Sequence, residues 1–248
     1  MSNIDKERIS MVAKKVREKF KSEYGIYEFN KPFEIISKLE KYIIIRFPFE
    51  EEIQGFTVEK NGYKCIYINS KDVLARQNYS CWHEFYHSMD DRNLADGKFE
   101  LSIKNSKDSV EKEAEYFASC MLLDKEELVD YIRKNWGSER SLSEVDLIDI
   151  QYRFGVSYKA LKLKLKEIYN DNYFFKFKIN EKGNEEKYLE EIRKKGYEPY
   201  LALSTNDFCI PISFKEDLLE CYKNKKIGIE KVEQTIDFLN EKGVEFRW

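Results

Sequence analysis

The sequence predicts an α+β fold: a small sheet set among helices, with a smaller α/β region behind it. Three observations carry this expectation. Asn61-Gly62 stands between two alternating segments, a strong hairpin signal. Residues 75–89 carry bulky side chains nearly all round (Tyr79, Trp82, Phe85, Tyr86, Met89), as a helix buried on most faces does. From residue 109 to 169, apolar residues recur every three or four positions in segments separated by cap and turn residues.

The elements follow in order. Ile4, Ile9, Met11, Val12, Val16 and Phe20 form the apolar stripe of a first helix over 4–22. Pro32 opens a short helix, Phe33 to Leu39. Tyr42 to Phe47 is β-branched and reads as a strand, and residues 54–60 and 63–69 are the hairpin strands. The charged run Glu50-Glu51-Glu52 reads as a solvated turn, and residues 90–108 as a polar loop. A helix from Ser109 to Leu123 has Val110, Ala114, Phe117, Ala118, Met121 and Leu122 on one stripe. Asp124 with Glu127 marks a capping box for the next helix, to about Lys134. Ser143 opens a helix to Phe154, and Ser157 caps one to Tyr169. Tyr173 to Ile179 alternates as a strand, and the tail offers strands at Tyr200–Leu203 and Phe208–Ile212 and two final helices. A composition shift places a boundary near 171, giving domains at 1–170 and 171–248.

Composition narrows the function classes. The chain has 248 residues, with 43 Lys+Arg against 46 Asp+Glu, a net charge of −3. So balanced a chain is no bulk-charge binder of nucleic acid or anionic membrane. Its five cysteines include no CxxC pair and read as reduced thiols. With no apolar leader and no membrane-length apolar run, the expected location is the cytoplasm.

Both histidines of the chain fall in one pentad: His83-Glu84-Phe85-Tyr86-His87. Chance yields this HExxH pattern roughly once in a thousand such chains. Residues i and i+4 share a helix face, so both imidazoles can converge on one ion, for which zinc is suited. Glu84 stands beside that face, placed to take a proton from a metal-activated water. The bland alternative is a solvated His/Glu face. An almost wholly apolar helix argues against it, because burying these groups without a partner is expensive.

No third histidine exists, so the third ligand must be a carboxylate or thiolate. Glu111, Glu113 and Glu115 are the candidates on the following helix. Glu111 shares a face with Ala114 and Ala118, small residues that let this helix approach the His helix, and is the ligand chosen. Its alternative role is a capping box with Asp108. Tyr86, Tyr116 and Arg76 are candidates to stabilise an oxyanion.

These residues resemble the ImmA/IrrE metallopeptidases, which pair an HExxH helix with a downstream E-x-x-A-N-x-F-A helix. The matching positions are Glu111, Ala114, Phe117 and Ala118. Further matches are the Asn61-Gly62 hairpin, Ile66-Tyr67-Ile68-Asn69, Arg76, and Phe154-Gly155-Val156-Ser157 with Ala160-Leu161. The likeness spans about residues 4–169. It implies a zincin-like core of HExxH helix, small antiparallel sheet with hairpin, and Glu helix. It implies one Zn2+ per chain on His83, His87 and Glu111, a gluzincin-type set, with Glu84 as base. It also implies a protein substrate, a helix-turn-helix repressor in a mobile-element or stress switch. The chain departs from the family at Phe85-Tyr86 (usually Leu-Gly), Glu115 (Asn) and Asp124 (Pro). Glu115, four residues after Glu111, is suited to hold a ligand His through its ring N–H.

Two alternatives come from other classes. One is a zinc-stabilised regulator that binds a repressor or anti-repressor partner without cutting it. The other is a DNA-binding protein using residues 145–168, whose helix-turn-helix rhythm carries Lys159, Lys162, Lys164 and Lys166. Leu161, Leu163 and Leu165 interleave with those lysines, which favours helix packing over direct nucleic-acid binding.

Overall fold

The computed structural model describes residues 3–49, 53–89, 107–137, 142–169 and 184–244. The turn at Glu50–Glu52, the strand at Tyr173–Ile179, the boundary near 171 and most of the 90–108 loop lie outside these residues.

Helix α1 (Asn3–Tyr24) and the short α2 (Pro32–Ile36) precede β1 (Tyr42–Phe47), β2 (Gly55–Lys60) and β3 (Tyr63–Asn69). Asn61 and Gly62 both take positive φ, 52° and 77°, as a two-residue hairpin turn with the right twist requires. The sheet order is β1-β3-β2. The expected antiparallel sheet is therefore mixed. β2 pairs antiparallel with β3, but β3 returns between its predecessors and lies parallel to β1.

α3 (Leu74–Ser88) packs on β2 and β3, with Trp82 and Tyr86 fully buried. α4 (Lys107–Leu122) packs on α3 and on α1. Ala114 and Ala118 are fully buried, so small side chains stand within the α4 packing surface. α5 (Lys125–Trp136) starts at an Asp124 cap whose carboxylate accepts from the Glu127 N–H. α6 (Glu144–Phe154) has a full capping box between Ser143 and Asp146. Gly155 ends it at φ +66°; an added Cβ would sit 2.7 Å from the Asn30 carbonyl. α7 (Tyr158–Tyr169) follows, with Leu161 and Leu165 buried in the main core.

α8 (Glu185–Lys194) leads to a 3₁₀ turn, Pro199–Ala202, then α9 (Phe214–Lys223) and α10 (Ile229–Glu241). The strand expected at Tyr200–Leu203 is this 3₁₀ turn. Pro199 fixes φ near the helical value, lacks a ladder N–H, and lets Leu201 plug the main core. Phe208–Ile212 is not a strand either. It makes one isolated bridge, Cys209 to Arg46 of β1, and Pro211 denies it a further donor. Tyr188, Ile192 and Leu201 join the main core, while Val232, Ile236 and Leu239 of α10 form a second cluster with Phe208, Ile210 and Leu218. Among the described residues no helix is long and apolar enough to cross a membrane. All five cysteines are free thiols.

Candidate active site

α3 and α4 bring His83, His87 and Glu111 together. The His83 and His87 Nε2 atoms are 3.1 Å apart. Glu111 Oε2 lies 3.2 Å from His83 Nε2 and 3.5 Å from His87 Nε2. The three ligand-type atoms lie within 4.8 Å of one another. Two imidazoles and a carboxylate converging on one point suit a divalent ion of zinc's preference. Burial, and then the adjacent His87, lower the His83 pKa and keep its ring in the neutral form that ligates.

Glu84 is nearly buried on the sheet side of α3. The Thr57 hydroxyl donates to Glu84 Oε2 at 3.0 Å, and it also lies 3.2 Å from the Glu84 backbone carbonyl. Burial pushes the Glu84 carboxyl up to about 7; the Thr57 bond pulls it down and the Glu111 charge pushes it up. Gly55 explains how β2 comes this close. A Cβ there would meet the Tyr67 carbonyl at 2.8 Å and Glu84 Cγ at 3.1 Å. Sequence reasoning missed Thr57 and Gly55. A glycine inside a strand was the available sign of close backbone approach.

The other candidates stand elsewhere. Tyr86 is fully buried and points away from the cluster, its hydroxyl donating to Glu113 Oε2 at 2.8 Å. Glu113 also pairs with Arg8, so this acid faces α1 and the core rather than the histidines. The hydroxyl of Tyr86, offered as an oxyanion donor, is engaged by the buried Glu113 carboxylate instead. Tyr116 donates to Glu167 at 2.8 Å, and Arg76 pairs with Asp72 at 3.2 Å. The Glu115 side chain is exposed, and its backbone carbonyl accepts from the Tyr79 hydroxyl at 2.6 Å. The capping role considered for Glu111 falls on the Asp108 side chain, outside the described part.

An HExxH helix set against a second helix that brings a carboxylate to its histidines is the arrangement of a metallopeptidase. Comparison with protein families matches residues 41–166 to a peptidase family described as the IrrE N-terminal-like domain. The match takes in β1 through most of α7, more than half of the chain, and the chain belongs to this family. No curated protein matches it.

Proposed function

We propose that the protein is a zinc-dependent endopeptidase, with His83, His87 and Glu111 holding one Zn2+ and Glu84 as the general base. The observation behind this proposal is the convergence of three ligand-type atoms within 4.8 Å, with a protonatable carboxyl on the residue next to His83. Zinc, when bound, supplies Lewis-acid chemistry, activating water and polarising a carbonyl. Glu84 takes the proton from the attacking water and delivers it to the departing amine. The Thr57 hydroxyl restrains the carboxylate while it does so. The outer edge of β2 has no strand beside it among the described residues, so an extended peptide can pair with it next to Glu84.

The proposed substrate is a helix-turn-helix repressor, acting in a mobile-element or stress-response switch in the cytoplasm. The support for this is the resemblance to ImmA/IrrE proteins. The smaller region from 171 to 248 is proposed to recognise substrate or partner. The test is incubation of the purified, zinc-loaded protein with a small helix-turn-helix protein encoded beside it. Cleavage that stops with chelator and in Glu84→Gln supports the proposal. Binding without any product, equal in wild type and Glu84→Gln, overturns it in favour of a non-cleaving regulator.

A further inference from the structure

The helix faces that carry the ligand cluster continue into a cavity of about 970 Å3. Its wall includes Tyr79, one turn before His83 on α3, and Glu115, one turn after Glu111 on α4. One turn is about 5.4 Å, so the cavity adjoins the cluster rather than coinciding with it. α7 and α8 supply the far wall, through Leu163 and Tyr188 among others. Gln54, just ahead of β2, is also on the wall.

The wall is aromatic and aliphatic, and its charges do not cancel. Lys6, Arg76, Lys112, Lys159 and Lys164 line it, against Glu115, Glu167 and Glu185. Asp72 engages Arg76. Lys164 is buried, and among the described residues a single carboxylate serves it: Glu167 lies 3.3 Å from Lys164 Nζ and 3.3 Å from Lys6 Nζ. Both ammonium groups also lie over the Tyr116 ring, at 5.2 and 5.3 Å. Two cations sharing one anion leave net positive charge in a partly desolvated place. Lys112 and Lys159 have no carboxylate partner among the described residues. Such a cavity is complementary to a chain segment that is apolar and negatively charged.

The sheet links this cavity to the proposed chemistry. Thr57 touches Glu84, and Gln54 is on the cavity wall three residues earlier in the chain. Gly55 also lies against Glu84, so Gln54 is one to three residues, at most about 10 Å, along the strand from that contact, and a peptide lying along β2 reaches the cavity within about three residues of the reacting bond.

We infer that the cavity is a specificity subsite: it takes an acidic residue flanked by apolar residues, within about three positions of the bond cleaved. This rests on the peptidase proposal, but its binding chemistry is testable without turnover. The probes are three fluorescein-labelled nine-residue peptides with a shared Leu/Phe framework, bearing two Glu, two Gln or two Lys. Fluorescence anisotropy on the full-length Glu84→Gln protein measures their affinities. The Glu peptide should bind at least about tenfold more tightly than the other two, since one desolvated charge pair gives a coupling of that order. Lys112→Glu with Lys159→Glu, both at exposed positions, should shift the preference to the Lys peptide. His83→Ala should leave the Glu preference intact, because the cavity wall does not include the ligand cluster. Equal affinities, no binding of any probe, or a preference that survives charge reversal overturns the subsite. Failure of wild type to cut any protein, with the Glu preference intact, counts against the peptidase proposal and leaves the subsite standing.

Discussion

The Thr57 hydroxyl donates to Glu84 Oε2 at 3.0 Å, tying the outer strand of the sheet to the acid inside HExxH. A carboxylate on a helix has several rotamers, and this bond selects among them. Thr57→Val, which keeps shape and loses the hydroxyl, should lower kcat about tenfold with KM little changed, as expected for one lost charge-assisted bond. Thr57→Ser should recover most of the rate. Equal rates in the Val and Ser variants would remove the hydroxyl from the mechanism. The rates are to be measured on a protein that the wild type cleaves.

Glu84 itself is not placed among the ligand atoms. Glu84→Gln should therefore retain one zinc per chain by atomic emission while losing hydrolysis by at least ~10², the lower range for a general base. Loss of the metal, or full activity, would show that Glu84 has a different task.

In the proposed site Glu111 holds the metal, while Glu113, two residues on along α4, holds Arg8 and the Tyr86 hydroxyl. Glu111→Ala should strip most of the zinc on dialysis against a graded chelator. Glu113→Ala should keep zinc but lower stability, because Arg8 and the buried Tyr86 hydroxyl lose their partner; about 2–3 kcal/mol is expected for such a loss. Thermal melts and zinc stoichiometry on the same samples distinguish the two. Tight zinc in Glu111→Ala with loss in Glu113→Ala would move the ligand.

Much of this site is legible from residue spacing alone. His83 and His87 are the chain's only histidines, and a four-residue interval on a helix fixes their common face. Glu111 follows from helix-face geometry beside Ala114 and Ala118. The Tyr86–Glu113 bond was not legible, because spacing gives the face of a side chain and not its partner, and Glu113 arrives from another helix. The sheet direction was misread for a similar reason. A hairpin signal pairs β2 with β3, but nothing local says that β1 will take the other edge of β3. The 3₁₀ turn at Pro199–Ala202 imitates a strand because alternation over four residues also fits a turn with one buried apolar residue.

Acid should loosen the link between the tail and β1. Burial alone would raise the Asp207 carboxyl, but hydrogen bonds from Thr205 and Cys209 and the Arg46 charge outweigh it and hold the pKa below its ordinary value. A depressed folded-state pKa gives stability that is present above the unfolded value, near ~3.9, and is lost as pH falls through the folded one. Melting temperature should therefore fall more steeply below about pH 4 in wild type than in Asp207→Asn, with the two curves converging at low pH. Parallel curves would mean that Asp207 contributes nothing to the acid limb.

Gly55 gives the sharpest test of how the sheet supports the site. Its φ is not in the left-handed region, so backbone strain is not what calls for glycine. Space is. A Cβ would stand 2.8 Å from the Tyr67 carbonyl, which is backbone and cannot swing aside, and 3.1 Å from Glu84 Cγ. Gly55→Ala must therefore push β2 away from β3 or from α3. An overpacked contact of this kind costs about 1–3 kcal/mol. Either movement also takes Thr57, two residues on, away from Glu84. The expected result is a lowered melting temperature together with a kcat loss at least as large as that of Thr57→Val, while zinc stoichiometry stays at one. Zinc should stay because His83, His87 and Glu111 come from α3 and α4, not from the sheet. A Gly55→Ala protein with normal rate and stability would mean that β2 does not hold Glu84 in place.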